Sequence, residues 1–126
     1  MKKIIEAAKI VRKNAHAVYS NYKVGAAVLT SDGSIITGCN VESSSYGLTC
    51  CAERTALFSA IAQGHKNFKE LAVITENGGT PCGACRQVIW DLCGNIPIYI
   101  SDKNGNIEKT TSKDLLPNAF DSEKLK

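Results

Sequence analysis

Four residues have types and spacings that could support metal-dependent chemistry: Cys51, Glu53, Cys82 and Cys85. Thiolates bind zinc, and a carboxylate close to a metal site can move protons. The Cys82/Cys85 pair alone does not distinguish among a redox dithiol, one corner of a structural zinc site and a chance spacing. Both cysteine segments follow a predicted strand and begin a predicted helix, where the positive end of the helix dipole helps thiolates bind a metal.

The elements that must position these side chains follow an α/β pattern. Apolar, β-branched runs between turn signals predict strands over 24–30, 34–42, 71–75, 96–101 and 106–110. Helical spacing of apolar residues predicts an amphipathic helix from Ile4 to Ala15 and helices over 51–63 and 83–93. Because helices separate the middle strands, we expect parallel crossovers and helices on both faces of the sheet. Both cysteine segments then lie outside the carboxyl ends of strands, where ligand sites form in such sheets.

Two tight turns define the ends of the predicted sheet. Asp32-Gly33 joins the first two strands as an antiparallel hairpin. Residues 102–105 are too few for a parallel crossover, so the last two strands should also pair as a hairpin, around Asn104-Gly105. We therefore expect one domain over 1–126 with a three-layer αβα fold and a mixed five-stranded sheet that ends in an antiparallel C-terminal hairpin.

Composition and charge limit the class of protein. The chain has 126 residues, is 44% hydrophobic and carries a formal net charge of +3, spread without a block of like charges. Nothing in this pattern marks a nucleic-acid arm or a membrane patch. Charged residues interrupt the apolar N-terminal segment, which opposes a signal peptide, and no run approaches the ~20 apolar residues of a membrane span. Six cysteines without an export signal favour the reducing cytoplasm.

The Cys-x-Glu step and the Pro-Cys-x-x-Cys segment together resemble the signature of zinc nucleobase deaminases, with cysteine as the first ligand. Further matching segments, in family order, are YSNYKVGAAV, GCNVESSSYG, CAERTA, PCGACRQV and LLPNAF. The chain therefore resembles zinc-dependent cytidine deaminases of the small, homotetrameric type over nearly its whole length. It departs from the common pattern at Val18, Ser44 and Cys50.

The resemblance implies a catalytic zinc site. Cys51, Cys82 and Cys85 would hold one Zn²⁺ per subunit and leave one position open for water. Glu53 would carry protons among that water, N3 of cytosine and the departing ammonia. Three thiolates overcompensate the charge of zinc, and the resemblance implies that Arg54 hydrogen-bonds them and withdraws part of that charge.

The resemblance also implies a nucleoside substrate and shared active sites. Residues of the same subunit that would contact the nucleoside are Tyr22, Asn40, Glu42 and Ala52. Residues that neighbouring subunits of a homotetramer would contribute are Ser44, Tyr46, Gly47 and Phe120. The implied reaction is hydrolytic deamination of cytidine and deoxycytidine in pyrimidine salvage.

Other interpretations stay open at the level of sequence. Cys50 has the wrong spacing for the glutamate and is interpreted as a bystander, and Cys39 and Cys93 as small buried residues. A deaminase of a modified cytosine nucleoside such as blasticidin S would share the zinc motifs. A nucleic-acid base-editing deaminase is opposed by the final hairpin and by the lack of a basic stripe. The protein could also be a non-enzymatic zinc-stabilised module or a redox protein built around Cys82 and Cys85; a structural zinc site would need a fourth protein ligand.

Overall fold

The computed structural model describes residues 2–125 and has an α/β fold, in which helices separate the middle strands. The strands are β1 (Gly25–Thr30), β2 (Ile35–Cys39), β3 (Phe68–Ile74), β4 (Pro97–Ser101) and β5 (Ile107–Thr111). The α-helices are α1 (Lys3–Arg12), α2 (Ala52–Ala62), α3 (Gly83–Cys93) and α4 (Ser112–Leu115). Short 3₁₀ turns cover Tyr46–Leu48 and Ser122–Leu125. Within residues 2–125, no helix has the length and apolarity to cross a membrane.

The five strands form one mixed sheet in the order β2-β1-β3-β4-β5. β1 pairs antiparallel with both β2 and β3, β3 pairs parallel with β4, and β4 pairs antiparallel with β5. The predicted parallel crossover and the C-terminal hairpin are thus confirmed. The Thr30 N–H donates to the Ser34 carbonyl and the Asp102 N–H to the Asn106 carbonyl, so three residues lie between each closing pair. Each of these loops ends in a glycine with positive φ, Gly33 at 90° and Gly105 at 89°, a conformation that glycine adopts without steric cost.

Helices cover both faces of the sheet because neighbouring strand residues point to opposite sides. On one face, Ile4, Ile5 and Ala8 of α1 pack against Ala27 and Ala72. On the other face lies the larger core, which joins α2 and α3 to the sheet. Its members include Val28, Leu57, Leu71, Val73, Ile89 and Ile98. This arrangement is the three-layer fold predicted from the sequence.

The first helix ends earlier than its apolar periodicity predicts. α1 stops at Arg12, and Ala15 lies beyond it in a tighter turn, in which the Ala15 N–H donates to the Arg12 carbonyl at 3.1 Å. The next residue, His16, forms an isolated bridge to Val41. The long-range bridge takes the chain out of the helix, so the prediction of a helix to Ala15 is wrong at its C-terminal end.

Gly38 allows α2 to lie directly on β2. A Cβ at this position would be 2.3 Å from the Ala56 nitrogen and 2.8 Å from the Ala52 carbonyl oxygen. These are backbone atoms of the helix, so a side chain could be accommodated only if α2 moved.

We expect Gly38→Ala to lower the free energy of unfolding by about 1–3 kcal/mol, the usual effect of overpacking. Denaturant unfolding of the zinc-loaded protein measures the change. Gly83→Ala is a suitable control because an added Cβ there meets no atom within 4 Å. Equal unfolding midpoints for the two variants would contradict the close packing of α2 on β2.

Candidate active site

Two helix N-termini bring the three predicted cysteine ligands together. Cys51 is the N-cap residue of α2, Cys82 is the N-cap residue of α3, and Cys85 lies in the first turn of α3. Their sulfur atoms all lie within 4.8 Å of one another. The positive ends of two helix dipoles therefore point at the cluster and favour its thiolate forms.

The spacing of the thiols fits a zinc ion. Cys51 Sγ lies 3.8 Å from Cys82 Sγ, and Cys82 Sγ lies 3.5 Å from Cys85 Sγ. A tetrahedral zinc ion with Zn–S distances of about 2.3 Å holds its sulfur ligands about 3.8 Å apart. Among residues 2–125, no other His, Cys, Asp or Glu joins this group of metal-ligating side chains. One coordination position therefore stays open, as in a catalytic rather than a closed structural site.

Hydrogen bonds and charge make the Cys51 thiol more acidic than an ordinary cysteine. A hydrogen bond with the Cys85 thiol, together with the Arg54 guanidinium, lowers the pKa of Cys51 to about 5. The same hydrogen bond with Cys51, together with burial, raises the pKa of Cys85. Close thiolates repel one another, and a divalent cation among them removes that penalty.

Glu53 is a buried carboxyl group beside the cluster. It lies in the first turn of α2, is 4% exposed, and lines the same cavity as Cys51 and Cys82. Burial raises the pKa of Glu53 to about 7, and the negative charge of Cys51 acts in the same direction. A carboxyl group with a pKa near neutrality can both accept and return a proton.

Arg54, for which the family resemblance implies hydrogen bonds to the thiolates, holds its guanidinium against Cys51. Its Nη2 lies 3.4 Å from Cys51 Sγ and 3.5 Å from the carbonyl oxygen of Thr49. Hydrogen bonding to Cys51 raises the pKa of Arg54 still further above its usual range, so the group stays charged. A fixed positive charge at this distance withdraws electron density from the sulfur.

We expect Arg54→Ala to weaken zinc retention or lower turnover by about 10- to 100-fold, as is usual when a partner of a metal ligand is lost. Zinc content after dialysis against a chelator and steady-state kinetics measure the two effects. Arg54→Lys separates charge from geometry, because lysine keeps the charge but not the planar donor pair. Wild-type zinc retention and turnover in Arg54→Ala would contradict this role.

The cavity beside the cysteine cluster has a volume of 270 Å³. All four residues predicted to contact a nucleoside from the same subunit line it: Tyr22, Asn40, Glu42 and Ala52. The Asn40 amide accepts a hydrogen bond from the Val24 N–H and donates one to the Tyr22 carbonyl, both at 2.9 Å. Asn40 therefore also fixes the segment that carries Tyr22.

Glu42 is held at the cavity by the turn that precedes Tyr22. Its carboxylate accepts hydrogen bonds from the backbone N–H groups of Tyr19 at 2.9 Å and Ser20 at 3.0 Å, and from the Ser20 hydroxyl. These bonds, above all those from Ser20, lower the pKa of Glu42. The carboxylate is thus a fixed, charged hydrogen-bond acceptor at the mouth of the cavity.

Several residues that shape the site were not identified from the sequence. Thr75 lines the cavity, and its hydroxyl accepts hydrogen bonds from the backbone N–H groups of Gly78 and Gly79 at 2.8 and 2.9 Å. Arg86 donates to the Pro81 carbonyl at 2.7 Å and so fixes the residue before Cys82. The position of Thr75 at the carboxyl end of the predicted strand 71–75 was the signal available for it.

The four residues predicted to serve neighbouring subunits do not line the cavity of their own chain. Ser44, Tyr46, Gly47 and Phe120 are all exposed, Tyr46 at 75% and Phe120 at 57%. Tyr46 lines a shallower depression next to the cavity, together with Tyr19, Ser20, Glu42 and Thr49.

The remaining cysteines lie outside the metal-binding group. Burial raises the pKa of Cys93 to about 12 and also raises that of Cys39. Cys50 is half-buried, and its sulfur accepts a hydrogen bond from the Thr55 hydroxyl at 3.5 Å. Of the two histidines, His16 is exposed and His65 lies 3.7 Å from Asp32. None of these residues supplies a fourth ligand among residues 2–125.

Comparisons with known proteins agree with this geometry. Residues 1–99 match the family model described as the cytidine and deoxycytidylate deaminase zinc-binding region. A cytidine deaminase of Sporosarcina psychrophila is 48% identical over 128 residues, covering 99% of this chain and 94% of the relative. A probable cytidine deaminase of Dictyostelium discoideum is 43% identical over 128 residues, covering 99% of this chain and 86% of the relative.

Solved structures show the same fold. The crystal structure of cytidine deaminase from Burkholderia pseudomallei has a TM-score of 0.90 and 50% identity, covering 95% of this chain and 100% of that one. The crystal structure of cytidine deaminase from Mycobacterium tuberculosis has a TM-score of 0.81 and 37% identity, covering 93% and 94% of the two chains.

Proposed function

Because the chain belongs to the cytidine and deoxycytidylate deaminase family, we propose that it hydrolyses cytidine and deoxycytidine to uridine and deoxyuridine with release of ammonia. The observation that carries this proposal is the joint placement of three metal-binding thiols and a buried glutamate in one cavity. Family membership confirms the predicted class of a zinc-dependent hydrolytic deaminase.

Cys51, Cys82 and Cys85 hold the metal in this proposal, and residues 1–126 act as a single catalytic domain. When bound, zinc lowers the pKa of water and so makes a nucleophile available near neutral pH. The two helix N-termini and Arg54 offset the excess negative charge of the three thiolates.

Glu53 moves the protons of the reaction. It accepts a proton from the water that attacks C4 of the cytosine and delivers this proton to N3. As the C4–N bond breaks and the oxygen added at C4 becomes a carbonyl, Glu53 transfers the second proton of the former water to the amino group, which leaves as ammonia. Its place on the first turn of α2, directly after a metal-ligand segment, supports this role.

The cavity residues determine the substrate class. Asn40 and Glu42 bind the sugar hydroxyls, Tyr22 packs against the pyrimidine, and Ala52 forms part of the cavity wall beside it. The fixed, charged Glu42 carboxylate is suited to accept hydrogen bonds from hydroxyl groups. The cavity volume of 270 Å³ suits a small, compact ligand such as a nucleoside.

The assembled enzyme in this proposal is a cytoplasmic homotetramer of pyrimidine salvage. Exposed aromatic and apolar side chains support subunit contact, among them Tyr46, Leu48 and Phe120. Ser44 and Gly47 lie in the same exposed segment as Tyr46. A reducing compartment keeps the three cysteine ligands available for zinc.

Incubating the zinc-loaded protein with candidate substrates tests the proposal. Absorbance change and ammonia release should show rapid conversion of cytidine and deoxycytidine. Conversion of blasticidin S alone, or of cytosines in a single-stranded oligonucleotide alone, would replace the proposed substrate class. Zinc-loaded protein that converts none of these substrates would favour the non-enzymatic zinc module.

A further inference from the structure

A second pocket, distinct from the catalytic cavity, gathers basic side chains that are far apart in the sequence. Its volume is 310 Å³. It is lined by Lys9, Arg12, Lys13, Lys23, Ile74 and Lys103, which we call the basic pocket. The lining comes from the C-terminal end of α1, the segment before β1, the end of β3 and the loop after β4. The fold thus concentrates positive charge in this pocket, although its basic residues do not form one continuous run in the sequence.

The charge of the basic pocket is largely uncompensated. Glu76 pairs with Arg12 at 3.1 Å and with Lys103 at 2.6 Å, so one carboxylate faces five cationic side chains and leaves a net charge of +4. The whole chain carries only +3. Within residues 2–125, the lysines of the pocket other than Lys103 form no ion pair.

Stabilisation of the α1 dipole accounts for only some of the basic residues in this pocket. Lys9 and Arg12 lie in the last turn of α1, where cations stabilise the helix. Lys23 and Lys103 come from other segments and have no such role. Arg12 is also held in place, because its Nε donates to the Lys23 carbonyl at 2.8 Å. A fixed guanidinium surrounded by flexible ammonium groups is suited to bind phosphate.

The two pockets lie on opposite faces of the sheet. Val73 and Thr75 line the catalytic cavity, whereas Ile74 between them lines the basic pocket. Lys23 likewise stands between two cavity residues, Tyr22 and Val24. The basic pocket is therefore not a subsite of the catalytic cavity, and its lysines can be changed without altering a proposed catalytic residue.

We propose that the basic pocket binds a small molecule that carries a chain of phosphates, such as inorganic triphosphate or a nucleoside triphosphate. The net charge of +4 complements such a chain, and the pocket volume of 310 Å³ is that of a small-molecule site. Nucleic-acid strands are usually bound with aromatic side chains that stack on the bases. None of the lining residues described within 2–125 is aromatic.

Calorimetric titration of the zinc-loaded protein with inorganic triphosphate and with ATP tests the proposal. We expect saturable binding at one site per chain, weakened about tenfold or more in Lys9→Gln/Lys13→Gln because two charged donors are lost. The control is Lys66→Gln/Lys69→Gln, which removes the same charge from exposed positions outside the pocket and should bind as the wild type does. Phosphates can also chelate the bound zinc, and the heat of that reaction should be the same in the control variant, so comparison with the control corrects for it.

The two ligands distinguish the source of recognition. Equal affinities would show that the phosphate chain alone is recognised, and tighter binding of ATP would show that the nucleoside contributes; both results support the site. Absence of saturable binding, or equal weakening in both double variants, would overturn it. A single-stranded oligonucleotide that binds the basic pocket more tightly than either ligand would also overturn the small-molecule assignment.

Discussion

Glu53→Gln should retain zinc but deaminate cytidine about 10²- to 10⁴-fold more slowly than the wild type, the usual contribution of general acid–base catalysis. Glutamine has nearly the same size as glutamate, so the buried site in α2 should stay packed. It cannot accept a proton from water or deliver one to N3 of the base. The loss should therefore appear in kcat, with little change in KM.

Metal analysis and steady-state kinetics on the same protein sample measure both parts of this prediction. Glu6→Gln removes a carboxylate from the exposed side of α1 and serves as the control, with activity expected to equal that of the wild type. Two outcomes would contradict the proposed role: Glu53→Gln with substantial activity, or Glu53→Gln that has lost its zinc. The second outcome would mean that Glu53 supports metal binding rather than proton transfer.

Cys85→Ala should abolish stable zinc binding and, with it, deaminase activity. Its side chain is fully buried, and its sulfur lies 3.5 Å from that of Cys82. Loss of one of three protein ligands leaves too few for tight zinc binding. Zinc per chain, measured after gel filtration, should fall from about one to near zero.

Two other cysteine variants serve as controls. Cys93→Ala makes the same substitution at the other end of α3, where the side chain packs against the apolar core. Cys50→Ala removes the thiol that precedes Cys51 in the chain. Both variants should keep zinc and activity. Stoichiometric zinc in Cys85→Ala, or loss of zinc in Cys50→Ala, would contradict the assigned ligand set.

Local signals in the sequence predict the centres of the elements, and long-range contacts alter their ends. The bounds of α3 agree with prediction because Pro81 and Gly94 mark both ends. β3 begins at Phe68, earlier than the predicted Leu71, because Phe68 pairs with Thr30 of β1. Such pairing depends on strands that are distant in the sequence, and local pattern cannot indicate it.

The cysteine cluster could be predicted because its chemistry requires specific residue types at specific spacings. Ser20 and Thr75 were missed because they act by holding backbone and side chains in place, a role open to many residue types. The basic pocket was missed for a different reason. Lys9, Lys23 and Lys103 are far apart in the sequence, and only the three-layer fold brings them together.

Zinc titration of metal-free protein, with cytidine conversion followed at each step, tests the central claim most directly. If the three thiolates hold one catalytic zinc ion, activity should rise in proportion to added zinc and level off at one equivalent per chain. Full conversion of cytidine by metal-free protein, or no conversion after one equivalent of zinc is bound, would contradict the claim.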